Sequence, residues 1–165
     1  MDVSTDFDAI VTEHGRMIAR IVASYEADPR LAADLVQEVL IAVWKALPRF
    51  RGQASLRTFV ARIAHNRSVS HVARESQAAK VTGLPGELPE PSSGPETLAI
   101  EEDQRRRLVN AVRRLPLAFR APVTLALEGL SVSEISEMLG ISVNAVGIRM
   151  TRAKALLTNK LKDMQ

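Results

Sequence analysis

Residues 131–162 read SVSEISEMLGISVNAVGIRMTRAKALLTNKLK, and this stretch decides the fold. Ser131 followed by Glu134 is a capping box: the serine oxygen accepts an orphan amide of the first turn, and the glutamate reaches back to the serine amide. The helix so opened runs through Ile135, Met138 and Leu139. It ends at Gly140, which can take the left-handed conformation that closes helices. Ser142 then caps a longer helix with Val143, Val146, Met150, Ala153, Leu157 and Leu161 on one side. The opposite side carries Asn144, Ile148, Arg149, Thr151, Arg152 and Ala155, with Lys154, Lys160 and Lys162 nearer the flanks. Two helices joined through a short glycine turn have helix-turn-helix spacing, and the second is the one that enters a major groove. Between Asn144 and Lys162 stand five cations and no acid, as a polyanion-facing helix requires.

Upstream, Arg105–Leu115 reads as a helix stopped by Pro116, a second covers about Ala118–Leu127, and Gly129 breaks the chain. Before them lies 81–97, VTGLPGELPEPSSGPET, with Pro85, Pro89, Pro91 and Pro95. Prolines fix φ and remove backbone donors, so a tether is expected there. Seventeen residues reach roughly 55 Å when extended and about 20–25 Å as a coil. The N-terminal half has a helical period throughout. Leu31, Leu35, Val39, Val43 and Leu47 recur every four residues up to Pro48. Ser55 caps a helix striped by Leu56, Phe59, Val60 and Ile63, whose line continues into Arg67, Ser70 and Arg74, so its second half should protrude. Phe7, Ile10, Val11, Ile18, Ile21 and Val22 mark one more helix, with a kink expected near Gly15. No useful period-two run occurs, which predicts an all-α chain with a three- or four-helix N-terminal unit.

Charge is strongly blocked within a net +3. Residues 1–48 sum to −4, 49–74 to +6, 75–104 to −6 and 105–165 to +7. Two basic blocks around an acidic one suggest two contacts with a polyanion. Catalysis has little to use. The chain has no cysteine, and His14, His65 and His71 are its only histidines. His65 and His71 lie about 120° apart around a helix and share no ligand face, so no metal or cofactor is expected. Asp34 and Glu38 share a face but read as a solvated patch, while Phe59 and Trp44 read as packing residues. The longest stretch free of Asp, Glu, Lys and Arg, Met138–Ile148, is too short to span a membrane. With Asp2, Asp6 and Asp8 at the start in place of a signal peptide, a soluble cytosolic protein is expected.

Two long segments resemble a known family. LAADLVQEVLIAVWKALPRFRGQASLRTFVARIAHNRSVSHVAR, residues 31–74, is similar to region 2 of extracytoplasmic-function (ECF) sigma factors of RNA polymerase. LPLAFRAPVTLALEGLSVSEISEMLGISVNAVGIRMTRAKALL, residues 115–157, is similar to sigma region 4. The resemblance implies two small helical domains, 1–80 and 105–165, joined by a flexible Pro/Gly-rich linker over 81–104. It implies a cytoplasmic specificity subunit, nucleoid-associated when active, that binds core polymerase through the largest-subunit clamp and the flap and directs initiation at promoter DNA.

Residue by residue, the resemblance assigns Asp34, Gln37 and Glu38 to the clamp. Phe50, Arg51 and Ser55 fall in the loop that receives a flipped base of the minus-10 strand. Arg57, Arg62, His65, Asn66, Arg67, Ser70 and Arg74 fall on the surface tracking the melted strand. Asn144, Gly147, Ile148, Arg149, Thr151, Arg152 and Lys154 fall on the minus-35 reader. It also implies an anti-sigma protein as the brake. Departures concern specificity: Phe59 stands where Trp is usual, Arg67 for an apolar residue, Ser70 for Asp, Asn144-Ala145 for Gly-Thr and Gly147-Ile148 for Arg-Ser. The other classes in play are a sigma-like mimic that sequesters a regulator and a stand-alone helix-turn-helix repressor.

Overall fold

A computed structural model describes residues 3–83 and 99–163, and among them every regular element is helical. The chain divides into two compact units. The N-terminal unit holds α1 (Val3–Ala23), α2 (Pro29–Ala46), a 3-10 turn (Leu47–Arg49) and α3 (Leu56–Thr82). The C-terminal unit holds α4 (Ala99–Arg113), α5 (Leu117–Leu127), α6 (Val132–Leu139) and α7 (Val143–Asp163).

In the N-terminal unit the three long helices pack pairwise on one another. Ile10, Met17, Ile18, Ile21 and Val22 of α1 meet Leu35, Val39 and Val43 of α2 and Val60, Ala61 and Ala64 of α3 in a buried core. α1 continues through Gly15 as one helix. Asp28 opens α2 by accepting from the Arg30 amide at 2.8 Å, with Pro29 at the first helical position. Pro48 does not end α2 abruptly: the chain tightens into the 3-10 turn that contains it. Ser55 caps α3, its Oγ accepting from the Thr58 amide at 3.1 Å.

Two helix boundaries differ from the sequence reading. Val81 and Thr82 belong to α3, which Gly83 closes with φ 64°. At the other end α4 begins at Ala99, six residues before Arg105 and inside the stretch 81–104. The acids at the head of α4 support the helix. Glu101 and Glu102 sit in its first turn, where the helix dipole favours negative charge. Glu102 and Asp103 also pair with Arg106 and Arg107 one turn on, at 3.4 and 3.0 Å. The prolines of the expected tether lie outside the described residues.

The C-terminal unit is assembled around α7, which packs on α4, α5 and α6. Val112, Leu115, Val123 and Ala153 form its buried cluster, with Leu108, Phe119, Met150, Leu156 and Leu157 around them. Arg120 closes the α4–α5 corner by donating from Nε and Nη2 to the Leu115 carbonyl, at 3.2 and 2.9 Å.

Candidate nucleic-acid and polymerase interfaces

The helix-turn-helix is built as its sequence demands. Glu134 N donates to Ser131 Oγ at 3.1 Å, and Ser131 N donates to the Glu134 carboxylate at 2.7 Å. Gly140 ends α6 with φ 66° and ψ 32°. Ser136 Oγ then donates to the Ile141 carbonyl at 2.6 Å, and Ser142 Oγ accepts from Ala145 N at 3.0 Å. The turn is therefore fixed on both sides by side-chain bonds, which sets the angle at which α7 leaves α6. Val146 and Ala153 of α7 are buried; Asn144, Gly147, Ile148, Thr151, Arg152, Lys154 and Ala155 are exposed on the far side. Arg149 is half-buried at the edge of that face. Val143, expected on the inner stripe, is 55% exposed, since the helix begins there before its inner side meets the core.

Gly147 is a normal helical residue, and a Cβ placed on it would meet nothing within 4 Å. Glycine inside a helix costs about 1 kcal/mol relative to alanine, so neither backbone strain nor crowding explains it. Thr151 Oγ1 donates to the Gly147 carbonyl at 3.0 Å.

On α3 the row Arg62, Asn66 and Ser70 is exposed, with Arg67 and Arg74 exposed beside it. Arg51, Ser55 and Arg57 are exposed at its N-terminal end. Phe50 and Phe59 are half-buried against each other, ring centroids 4.7 Å apart at 44°. Phe59 is thus the packing residue expected, and it holds Phe50 at the root of the loop. From Ala73 to Lys80 every residue but Ala79 is exposed, so the end of α3 protrudes.

His65 does not join that surface. It is 6% exposed and faces inward, with Tyr25 Oη 3.2 Å from its Nδ1. Burial lowers its pKa from 6.5 to about 4, so the ring is neutral at pH 7. One turn on, Ser68 is fully buried, and His71 meets Glu26 with Nε2 and Oε2 2.5 Å apart. Glu26 also accepts from the Asp28 amide at 2.8 Å. Tyr25 and Glu26 lie in the α1–α2 connection, so two histidines tie that connection to α3. Sequence reasoning missed both partners because the pairs are 40 and 45 residues apart.

The outer face of α2 is mixed. Asp34 and Gln37 are exposed, Glu38 is half-buried and pairs with Arg74 at 3.2 Å. Ile41 and Trp44 lie on the same face, each 52% exposed. Trp44 is therefore not the packing residue expected. The signal was available: positions 34, 37, 38, 41 and 44 fall on one helix face.

Against protein families, residues 10–78 match Sigma-70 region 2 and residues 105–157 match Sigma-70, region 4. The chain is 30% identical over 168 residues to the RNA polymerase sigma factor NccH of Alcaligenes xylosoxydans xylosoxydans, covering 96% of this chain and 88% of that one. It is 29% identical to the ECF RNA polymerase sigma-E factor of Escherichia coli (strain K12), covering 96% and 87%. The chain belongs to the extracytoplasmic-function group of the sigma-70 family.

As a sigma factor it performs no chemistry of its own; it joins core RNA polymerase and directs initiation at promoters. The fold agrees with solved sigma factors. Bartonella quintana RpoE, in complex with the anti-sigma factor NepR, superposes with a TM-score of 0.80 at 18% identity, covering 95% of this chain and 97% of that one. CnrH, in complex with the cytosolic domain of CnrY, gives 0.71 at 25% identity, covering 98% and 91%. Among the described residues no helix is long and apolar enough to cross a membrane.

Proposed function

We propose that the sigma factor divides its work among three surfaces: the outer face of α2 for core polymerase, the outer row of α3 with the Phe50–Ser55 loop for the minus-10 strand, and the outer face of α7 for the minus-35 duplex. The observation that carries this reading is that each long helix buries one side in its own unit and leaves a chemically distinct side open. α2 offers Asp34, Gln37 and Glu38 beside Ile41 and Trp44, an acidic and apolar surface suited to a protein. α3 offers Arg62, Asn66, Arg67, Ser70 and Arg74, and α7 offers Asn144, Ile148, Arg152 and Lys154, both suited to nucleic acid. His65, being buried and neutral, is left out of the minus-10 surface. In this reading residues up to Gly83 are region 2, those from Ala99 are region 4, and the intervening segment is the linker. The protein works in the cytoplasm, on the nucleoid when active. An anti-sigma protein, the class of partner seen with Bartonella RpoE, is its brake.

The test is run-off transcription by core polymerase on a library of upstream fragments, with the wild-type chain and with Asp34→Arg/Gln37→Ala. Both side chains are exposed, so the fold should change by no more than about 0.5 kcal/mol. Wild type should yield new start sites, and the variant should lose them together with polymerase capture. Start sites undiminished in the variant would remove α2 from the polymerase contact. No start sites with wild type, despite polymerase capture, would favour the sequestering mimic.

A further inference from the structure

The exposed face of α7 has cationic rims and a largely apolar middle. Arg152 and Lys154 lie about 160° apart around the helix at about 100° per residue, one on each side of a strip formed by Asn144, Gly147, Ile148, Thr151 and Ala155. Asn144, at the N-terminal end, brings the one amide of this strip. Thr151 donates its hydroxyl proton to the Gly147 carbonyl, so that proton is not offered outward. Ile148 is 45% exposed and carries no polar atom.

The fold explains neither central residue. Ile148 faces away from the Val112, Leu115, Val123 and Ala153 cluster. Gly147 has ordinary helical backbone with open space where a Cβ would stand. In the major groove the apolar group that projects from a base edge is the thymine 5-methyl, and glycine is the residue that lets a backbone come close to a ligand.

We propose that Ile148 reads a thymine 5-methyl group in the upstream promoter element, and that bare Gly147 beside it lets α7 sit close enough for that contact. This rests on α7 being the minus-35 reader. It replaces hydrogen-bonded readout at the centre of the helix by apolar contact. Arg152 and Lys154 hold the flanking phosphates, and Asn144 remains for a hydrogen-bonding base edge.

The probe is a promoter recovered in the run-off experiment, its upstream duplex randomised and made in two forms. One form carries thymidine and the other deoxyuridine, which lacks only the 5-methyl; the downstream part is the same in both. Holoenzyme of full chain and core polymerase retains duplexes, which are sequenced. Thymidine should be enriched several-fold at one or two upstream positions, and the enrichment should vanish in the deoxyuridine pool. Ile148→Ser should erase it in the thymidine pool as well. Gly147→Ala should melt higher yet retain the preferred duplex about tenfold less well. Equal enrichment in both pools would overturn the methyl contact. No upstream enrichment in either pool, with Arg152→Ala still weakening retention, would overturn it while leaving α7 on the phosphates. No enrichment and no effect of Arg152→Ala would remove α7 from DNA altogether, and the proposal with it. Failure to recover any promoter would defeat the underlying sigma reading first.

Discussion

α3 and α7 are both long helices with a cationic outer side, yet their inner sides are written in different chemistry. α7 is held by shape: Val146, Met150, Ala153 and Leu157 fit against α4, α5 and α6. α3 is held by shape for its first turns, at Val60, Ala61 and Ala64, and after that by His65 and His71. An aliphatic seam tolerates small slides and fixes position only as closely as its packing. A buried hydrogen bond is directional and costs heavily when unmade. The outer row of α3 is therefore indexed to the α1–α2 connection by two specific bonds, one from Tyr25 and one from Glu26. That connection leads straight into α2, the helix assigned to polymerase, so α2 and α3 share one fixed frame.

The largest effect expected from breaking this contrast is at His71. Its side chain and that of Glu26 are 10% and 12% exposed. His71→Leu leaves the Glu26 carboxylate oxygen buried without this partner, and an unsatisfied buried charged group costs about 3 kcal/mol. Ser68 lies on the same buried side but its hydroxyl has no partner among the described residues, so Ser68→Ala should be neutral or slightly stabilising. Urea unfolding of both variants, followed by Trp44 fluorescence in the N-terminal unit, checks the pair. Equal losses for the two would mean that α3 is held by volume, like α7, and not by the His71–Glu26 bond.

A smaller effect separates the two units by pH. All three histidines lie in the N-terminal unit. In the unfolded chain His65 takes up its proton as pH falls through about 6.5, while in the folded unit it does so only near 4. Between those values the unfolded state binds more protons, so stability is present above pH 6.5 and is lost as pH falls toward 4. From pH 6.5 to 5 that amounts to about 1.5 kcal/mol. The C-terminal unit has no histidine. The same urea experiment at the two pH values should show a fall in midpoint for wild type and a flatter response in His65→Gln, whose amide can still meet Tyr25. An unchanged response in the variant would assign the proton uptake elsewhere.

These chemistries also account for what could be read in the sequence. The helix-turn-helix was legible because its signals are local: Ser131 with Glu134, Gly140, Ser142, and aliphatic residues at helical spacing. On α3 the apolar stripe ended at Ile63, so the line Arg67, Ser70 and Arg74 was correctly expected outside. The buried line His65, Ser68 and His71 is polar, and nothing near it in sequence announces Tyr25 or Glu26. The resemblance placed His65 on the strand-tracking surface, whereas the fold buries it. The converse error occurred at Trp44, whose apolarity suggested a core position although it shares a helix face with Asp34 and Gln37. The start of α4 was hidden because Glu101, Glu102 and Asp103 continue the acidity of the preceding segment, and only their pairing with Arg106 and Arg107 turns that acidity into helix support. Local signals carried over; long-range polar pairs did not.

The smallest effect concerns two arginines in similar settings, Arg74 on α3 and Arg152 on α7. Arg74 donates to Glu38 at 3.2 Å, but the side chains are 61% and 44% exposed. Exposed pairs of this kind contribute between about 0 and 1 kcal/mol, so Arg74→Ala should move unfolding of the N-terminal unit by less than about 0.5 kcal/mol. Promoter binding is the sharper measurement. A phosphate-contacting cation removed from the complex lowers the salt slope by about 1, and Arg152→Ala should show that loss in full. While the pair holds, the Glu38 carboxylate offsets the Arg74 charge that a phosphate would meet. If the polymerase clamp takes Glu38, Arg74 is released and Arg74→Ala should cost the same slope as Arg152→Ala in the holoenzyme. If Glu38 keeps its partner, the loss should be clearly smaller, and Glu38→Gln should raise the wild-type slope. An Arg74→Ala holoenzyme with the wild-type slope, alongside the expected fall for Arg152→Ala, would leave Arg62, Asn66, Arg67 and Ser70 as the strand contacts of α3, with Arg74 serving to join α3 to the polymerase-binding helix.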